Sequence, residues 1–257
     1  EVPADKVADF AIDFDACKSF VRAGNSGKIL LKPVLAVIPM LSDAGQRIEG
    51  WLDTSLVGPG TTVTAQQAGR PVRGTPPAAD GKFVLYPVPA GTYDLVITAD
   101  GRVNAAMTGV PVTHTAFTTI GSTTARINTP VSVAPAAGGA SAPAGPASAA
   151  VSGTITANAS TANTGGEVRA TQSFTGGPTI EAGSANAASA TGTYSITLPT
   201  GAPARVAYAA GATTFTFTAD APRAGLYKLE ATATGFATGK TADITLVAPL
   251  TQNFSFP

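Results

Sequence analysis

The residues able to do chemistry are few and scattered. Asp9, Asp13 and Asp15 lie at alternate positions of one register near the N-terminus. On one face of a strand such carboxylates could hold calcium. No D-x-D-x-D-G loop accompanies them, and the plainer account is a solvated strand face with Asp15 capping a short helix. His114 is the single histidine and Cys17 the single cysteine, which excludes a multi-Cys/His zinc site and an intramolecular disulfide. Cys17 reads as a small buried hydrophobe. A Ser-His-Asp triad would have to use His114, yet no G-x-S-x-G elbow is present. Between Thr113 and Thr115, His114 reads as a cross-strand neighbour. Thr164-Gly-Gly166 and Gly176-Gly-Pro178 lack a following Lys-Ser/Thr and read as turns, not phosphate cradles. No catalytic residue, cofactor or metal is expected, and the chain reads as a non-enzyme.

Aromatic residues offer the other chemistry. Trp51 and Tyr86 are the open candidates for stacking on a glycan, whereas Tyr93, Tyr194 and Tyr227 occupy hairpin positions that read as packing. Asn158-Ala-Ser160 and Asn253-Phe-Ser255 match the N-glycan acceptor pattern. The 257 residues carry 16 basic and 16 acidic side chains, so the net charge is zero. That excludes a broad electrostatic grip on nucleic acid or an anionic membrane. No run of about 18 apolar residues occurs, so no membrane span is expected. A charged fraction of 12%, together with abundant Thr, Ser, Gly and Ala, fits a secreted bacterial surface protein. No signal peptide is visible and Glu1 opens directly in strand-like sequence, so the chain is either cytoplasmic or a processed mature form, and the composition favours the processed one.

The elements that must position these residues repeat with period two. Ala8, Phe10, Ile12 and Phe14 alternate with polar or small residues, the pattern of a half-buried strand. Lys28 to Ile38 is a longer apolar run in which Pro33 marks an edge strand or bulge. Further strands are expected over 47–53, 61–67, 82–86 and 92–98, with one long or two short strands over 113–127. The one helix candidate is Asp15 to Arg22, stopped at Gly24. Residues 133–150 (VAPAAGGASAPAGPASAA) carry no charge and no large apolar side chain. They read as a semi-extended linker, because they bury too little surface to offset their ordering entropy. Strands then resume over 151–155, 166–171, 192–198, 213–219, 225–234, 240–247 and 251–256. This spacing, with Gly, Pro and Asn between strands, predicts sandwiches and not βαβ units. The halves also echo each other. Ile48-Glu-Gly50 parallels Val151-Ser-Gly153, and Ala90-Gly-Thr-Tyr-Asp-Leu95 parallels Ala224-Gly-Leu-Tyr-Lys-Leu229. The second half carries an insertion between Thr200 and Thr213.

Gly81-Lys-Phe-Val-Leu-Tyr-Pro-Val-Pro-Ala-Gly-Thr-Tyr-Asp-Leu95 resembles the hairpin of carboxypeptidase-regulatory-like, transthyretin-type sandwiches. The resemblance covers roughly Ile48 to Ile127 and implies a non-catalytic module. Asp13-Phe-Asp-Ala-Cys-Lys-Ser-Phe-Val21, followed by Leu31-Lys-Pro-Val34, resembles an uncharacterised domain family of bacterial surface lipoproteins. There the D-F-D segment lies near the domain's end, so residues 1–47 look like the back part of such a domain. The second half resembles the same sandwich class loosely. A collagen-adhesin B-type domain would carry an intramolecular isopeptide bond. Tyr227-Lys-Leu-Glu230 sets its Glu on the opposite face, and Val151 to Ser160 has no lysine, so no such bond is expected. In the first half, Lys32, Glu49 and Asn128 would form the required trio only by coincidence.

These readings predict an all-β chain of two tandem Ig-like or transthyretin-like sandwiches. The expected divisions are 1–47 (strands and short helix), 48–132 (regulatory-like sandwich), 133–150 (linker) and 151–257 (second sandwich). The expected function is structural or adhesive at the bacterial cell surface or outside it, as a filament or matrix subunit assembled by β-strand addition. Its partners would be copies of itself or cell-surface and matrix components. The strands expected to join neighbours are Ala8, Phe10, Ile12 and Phe14 at one end and Leu250, Gln252, Phe254 and Phe256 at the other. The alternative is a carbohydrate-binding or accessory module of a larger secreted protein, with Trp51 and Tyr86 as contacts.

Overall fold

The structure, a computed structural model, describes residues 9–14, 20–22, 29–31, 35–40, 46–133, 147–158 and 165–257. Its regular elements are strands, apart from two single 3-10 turns at Thr54–Leu56 and Ala221–Arg223. The fold is all-β, as the period-two alternation requires.

The first sandwich is built from β5 (Ile48–Trp51), β6 (Thr62–Gln67), β7 (Arg70–Thr75), β8 (Lys82–Leu85), β9 (Gly91–Thr98), β10 (Ala105–Val112) and β11 (Thr118–Ile120). One sheet runs β11-β5-β8, and the facing one contains β7-β6-β9-β10. Between them Ile48, Leu52, Phe83, Leu85, Leu95 and Ile97 are buried in one core. Alternation places them there, since every second residue of β5, β8 and β9 faces inward.

The second sandwich comprises β12 (Ser148–Ala157), β13 (Gly166–Ser173), β14 (Thr179–Asn186), β15 (Thr193–Pro199), β18 (Leu226–Ala233), β19 (Lys240–Thr245), β20 (Leu250–Thr251) and β21 (Phe254–Phe256). Its sheets run β15-β12-β20, with β21 also on β12, and β14-β13-β18-β19. The strand orders of the two sandwiches correspond element by element. β5 and β12 each lie between an antiparallel strand and a parallel C-terminal one. The paired glycines of the sequence mark this position. A Cβ on Gly50 would sit 2.7 Å from Ile120 O, and one on Gly153 1.8 Å from Gln252 O. Only glycine lets the last strand close in.

Several elements differ from expectation. Phe20–Arg22, placed in a helix by the sequence, is strand β2, paired with β3 (Ile29–Leu31). Eight residues are too few to nucleate a stable helix on their own, and Asp15 to Ser19 lie outside the described residues. The apolar run over 28–38 is divided into β3 and β4 (Leu35–Met40), with Pro33 itself outside the described residues. β7, β10 and β14 were not anticipated. Their proline, alanine and glycine content conceals the alternation, and tertiary pairing overrides propensity. Within 113–127 only β11 is regular, and of 213–219 only β17 (Thr218–Ala219).

The largest difference concerns the insertion. β16 (Ala204–Ala207) leaves the second sandwich and pairs in parallel with β10, while β17 pairs with β16. These strands extend the first sandwich's larger sheet to six. Val206, Tyr208, Phe215 and Phe217 pack on the first core. The segment was expected within the second sandwich, but β10 offers an open ladder and an apolar flank that the insertion covers. The stretch expected to link the halves already enters β12 at Ser148, and residues 134–146 lie outside the described set.

Candidate functional site: strand edges, an aromatic sheet face and a polar joint

The two chain ends expected to donate strands have different fates. At the C-terminus, β20 and β21 run parallel to β12, with Val151 opposite Leu250 and Ile155 opposite Phe254. Phe254 and Phe256 are buried in the second core and Leu250 packs against it. Tyr194 Oη donates to Gln252 O at 2.6 Å, and Asn253 Oδ1 accepts from Thr154 N at 2.9 Å. Leu250, Gln252, Phe254 and Phe256 are thus used within the chain, which corrects the expectation of donation from this end. The physical reason is the opening that Gly153 leaves for the Gln252 carbonyl.

At the N-terminus, β1 (Asp9–Phe14) pairs antiparallel with β4 (Leu35–Met40). This two-stranded sheet pairs with no other described strand. Phe10, Ile12 and Phe14 lie on β1, and the Ile12 side chain is 67% exposed. Ala8, Asp15 and Cys17 fall outside the described residues. Asp9 and Asp13 are in β1, and among the described residues no three His, Cys, Asp or Glu side chains gather as a metal site. His114 lies in the bend before β11 and is half-buried.

Trp51 and Tyr86 are both half-buried, on the outer face of the β11-β5-β8 sheet. Trp51 is in register with Lys82, whose Nζ sits 5.3 Å from the indole centroid. The Arg47 guanidinium lies 5.3 Å from the Tyr86 centroid. The rings are therefore separated by about four residues of strand, roughly 13 Å, with Glu49 and Val84 between them. Each ring carries a cation over its face, so the two do not merge into one flat platform. Of the isopeptide trio, Lys32 is outside the described residues. Glu49 faces outward, and Asn128 accepts from Arg102 Nη1 at 3.2 Å. Glu230 lies on the outer face of β18, bound by Arg169.

Sequence reasoning missed the joint between the sandwiches. Asn104, fully buried, donates from Nδ2 to Gln172 Oε1 at 2.8 Å and to Tyr227 Oη at 3.0 Å. Tyr227 Oη donates onward to Pro199 O at 2.6 Å. Burial pushes the Tyr227 phenol far above the ordinary tyrosine range. Gln66 spans the joint like a strand residue. Its Nε2 donates to Glu181 O at 2.9 Å, and its Oε1 accepts from Glu181 N at 2.8 Å. Arg169 holds Glu181 at 2.5 Å and Glu230 at 2.7 Å, and donates to Gly69 O across the joint at 2.9 Å. Burial raises the Glu181 carboxyl, and Arg169 opposes the rise. Val96 and Ala106 of the first sandwich pack with Phe174 and Ile180 of the second in a small separate core. Nothing in the alternation distinguishes Gln66, Asn104 or Gln172 from surface amides, because their burial comes from the other sandwich.

No protein-family model matches the chain, and no curated protein does. Among solved structures, the chain is similar to the Bacillus anthracis TIE protein at 9% identity and TM-score 0.26, over 96% of this chain and 40% of that one. It thus spans less than half of that protein. A candidate adhesin from Bacteroides ovatus is similar at 11% identity and TM-score 0.26, over 85% of this chain and 95% of that one. A streptococcal ancillary pilin is similar at 10% identity and TM-score 0.23, over 91% and 74%. At such scores these likenesses carry no argument about function.

Proposed function

We propose that the chain is a non-enzymatic structural or adhesive subunit of the bacterial cell surface or extracellular matrix, and that it polymerises by strand addition from its N-terminal end. The observation that carries this reading is the β1–β4 sheet, which pairs with no other described strand. A two-stranded ribbon is marginal alone and presents two unpaired backbone edges. Adding one edge to a neighbour's sheet satisfies those groups and gives a head-to-tail contact that does not close on itself, hence a fibre. Zero net charge removes the long-range repulsion that would oppose stacking. The hydrogen-bonded joint between the sandwiches suits a subunit whose work is mechanical.

The test is deletion of residues 1–14, with polymer followed by electron microscopy and sedimentation. The expected result is loss of fibres from an otherwise folded protein. Unchanged fibres would refute N-terminal donation. The glycan-binding alternative draws on the half-exposed Trp51 and Tyr86, which share one sheet face. It expects glycan-array signal that Trp51→Ala removes while fibres, if any, persist.

A further inference from the structure

We propose that the open edge of β19 (Lys240–Thr245) is the acceptor for strand β1 of a second copy of this chain. This inference rests on the assembly reading above and names its receiving surface.

The correspondence between the sandwiches leads to it. β10 and β19 occupy the same position, each next to the strand carrying the core tyrosine of its sandwich, Tyr93 on β9 and Tyr227 on β18. At β10 the edge is taken. β16 pairs with it in parallel, and the insertion's aromatic residues cover the flank of the core. At β19 no described strand takes the corresponding place. The first sandwich has nothing to return, since only Tyr86 to Ala90 separate β8 from β9. Among the described residues the chain thus contains one filled and one unfilled version of the same ladder.

The unfilled edge is chemically intact. Leu246 N donates to Gly225 O at 2.7 Å, and the register sets Ile244 opposite Tyr227 and Ala242 opposite Leu229. Antiparallel pairs alternate between bonded and non-bonded. The backbone groups of Ala242, Ile244 and Leu246 therefore point to β18. Those of Thr241, Asp243 and Thr245 point away, to the open edge. No proline interrupts Lys240–Thr245. The other long edges are compromised. β7 contains Pro71, β14 is held to the first sandwich through Glu181, and β15 lies against β14.

The occupant follows from the same chemistry. β1 has six residues, like β19, and no proline, whereas its partner β4 contains Pro39, which lacks an N–H to donate. Phe10, Ile12 and Phe14 alternate along β1, as needed to extend the apolar flank beside Ala242 and Ile244. Ile12 and, just past β19, Val247 are both exposed.

The test uses the full-length chain. Asp243→Pro removes an N–H that faces outward and leaves the bonds to β18 in place, so the variant should melt like wild type yet form no fibres. Thr241→Pro is the second such variant. Fibres from both, with fibres still lost on deleting residues 1–14, would overturn the β19 acceptor and leave N-terminal donation standing. Fibres that survive the deletion would overturn both. Hydrogen exchange on the wild type is independent of variant folding. The amides of Thr241, Asp243 and Thr245 should slow on polymerisation, and unchanged exchange there would overturn the proposal. A wild-type protein that stays monomeric at high concentration would do the same.

Discussion

Replacing Asn104 by alanine should uncouple the two sandwiches. Asn104 Nδ2 makes two buried hydrogen bonds, to Gln172 Oε1 and Tyr227 Oη. Tyr227 keeps its bond to Pro199 O when the amide is lost, so its phenol stays satisfied. Gln172 does not. Its side chain is 1% exposed, and Nε2 keeps Arg223 O at 3.2 Å while Oε1 is left without a partner. A stranded buried acceptor costs about 1–3 kcal/mol, and each lost net hydrogen bond about 1 kcal/mol. The two estimates overlap, so the expected loss is about 2 kcal/mol, roughly thirtyfold in the folding constant. Urea denaturation is the assay. Wild type should unfold in one transition because the joint couples the sandwiches. Asn104→Ala should lower the midpoint and, by weakening the joint, separate the transitions and reduce the apparent slope. The double variant Asn104→Ala/Gln172→Leu should recover part of the loss, because no acceptor is then stranded. A loss under about 0.5 kcal/mol, or a double variant costing the sum of the singles, would refute this account of the joint.

Gly153→Ala should destabilise by about 2–4 kcal/mol, because the new Cβ collides with a strand carbonyl that cannot move without opening the sheet. Gly176, at φ +58° with nothing within 4 Å of a new Cβ, should cost only about 1 kcal/mol as alanine, and paired thermal melts separate the two. Phe256→Ala should cost about 3–5 kcal/mol, a loss that a freely exposed C-terminal strand would not show in a chemical melt. Burial pushes the Tyr194 phenol up to about 12 from 10.0. A raised folded value means the neutral tyrosine's contribution is complete below 10.0 and is lost as pH rises toward 12. Tyr194→Phe should therefore flatten the decline in stability across that window, and an unchanged pH profile would contradict the burial.

Alternation made much of the fold legible. β5, β6, β8, β9, β12, β13, β15, β18 and β19 lie within two or three residues of where the side-chain pattern places them, because a half-buried strand must show its two faces in sequence. The glycine-aromatic hairpins carrying Tyr93 and Tyr227 were equally legible, since turn and core position are both local. β10 was not. Its run of alanine, methionine, glycine and proline hides an inward face whose partners, Ala204 to Ala207, come from the other half of the chain.

The functional surfaces divide the same way. The apolar alternation at each terminus belongs to the sequence and identifies both as strands able to pair. Whether such a strand is spent or available depends on what else reaches the same ladder. Leu250, Phe254 and Phe256 meet β12 across the gap at Gly153, while among the described strands β1 pairs with β4 alone. Composition and period thus set what each segment can form, through local sterics and the two-faced geometry of a strand. Three-dimensional pairing alone decided that β16 covers β10, that Asn104 and Gln172 are buried, and that no other described strand covers the edge of β19, because backbone hydrogen bonding is the same for every sequence and is allotted only when distant segments come together.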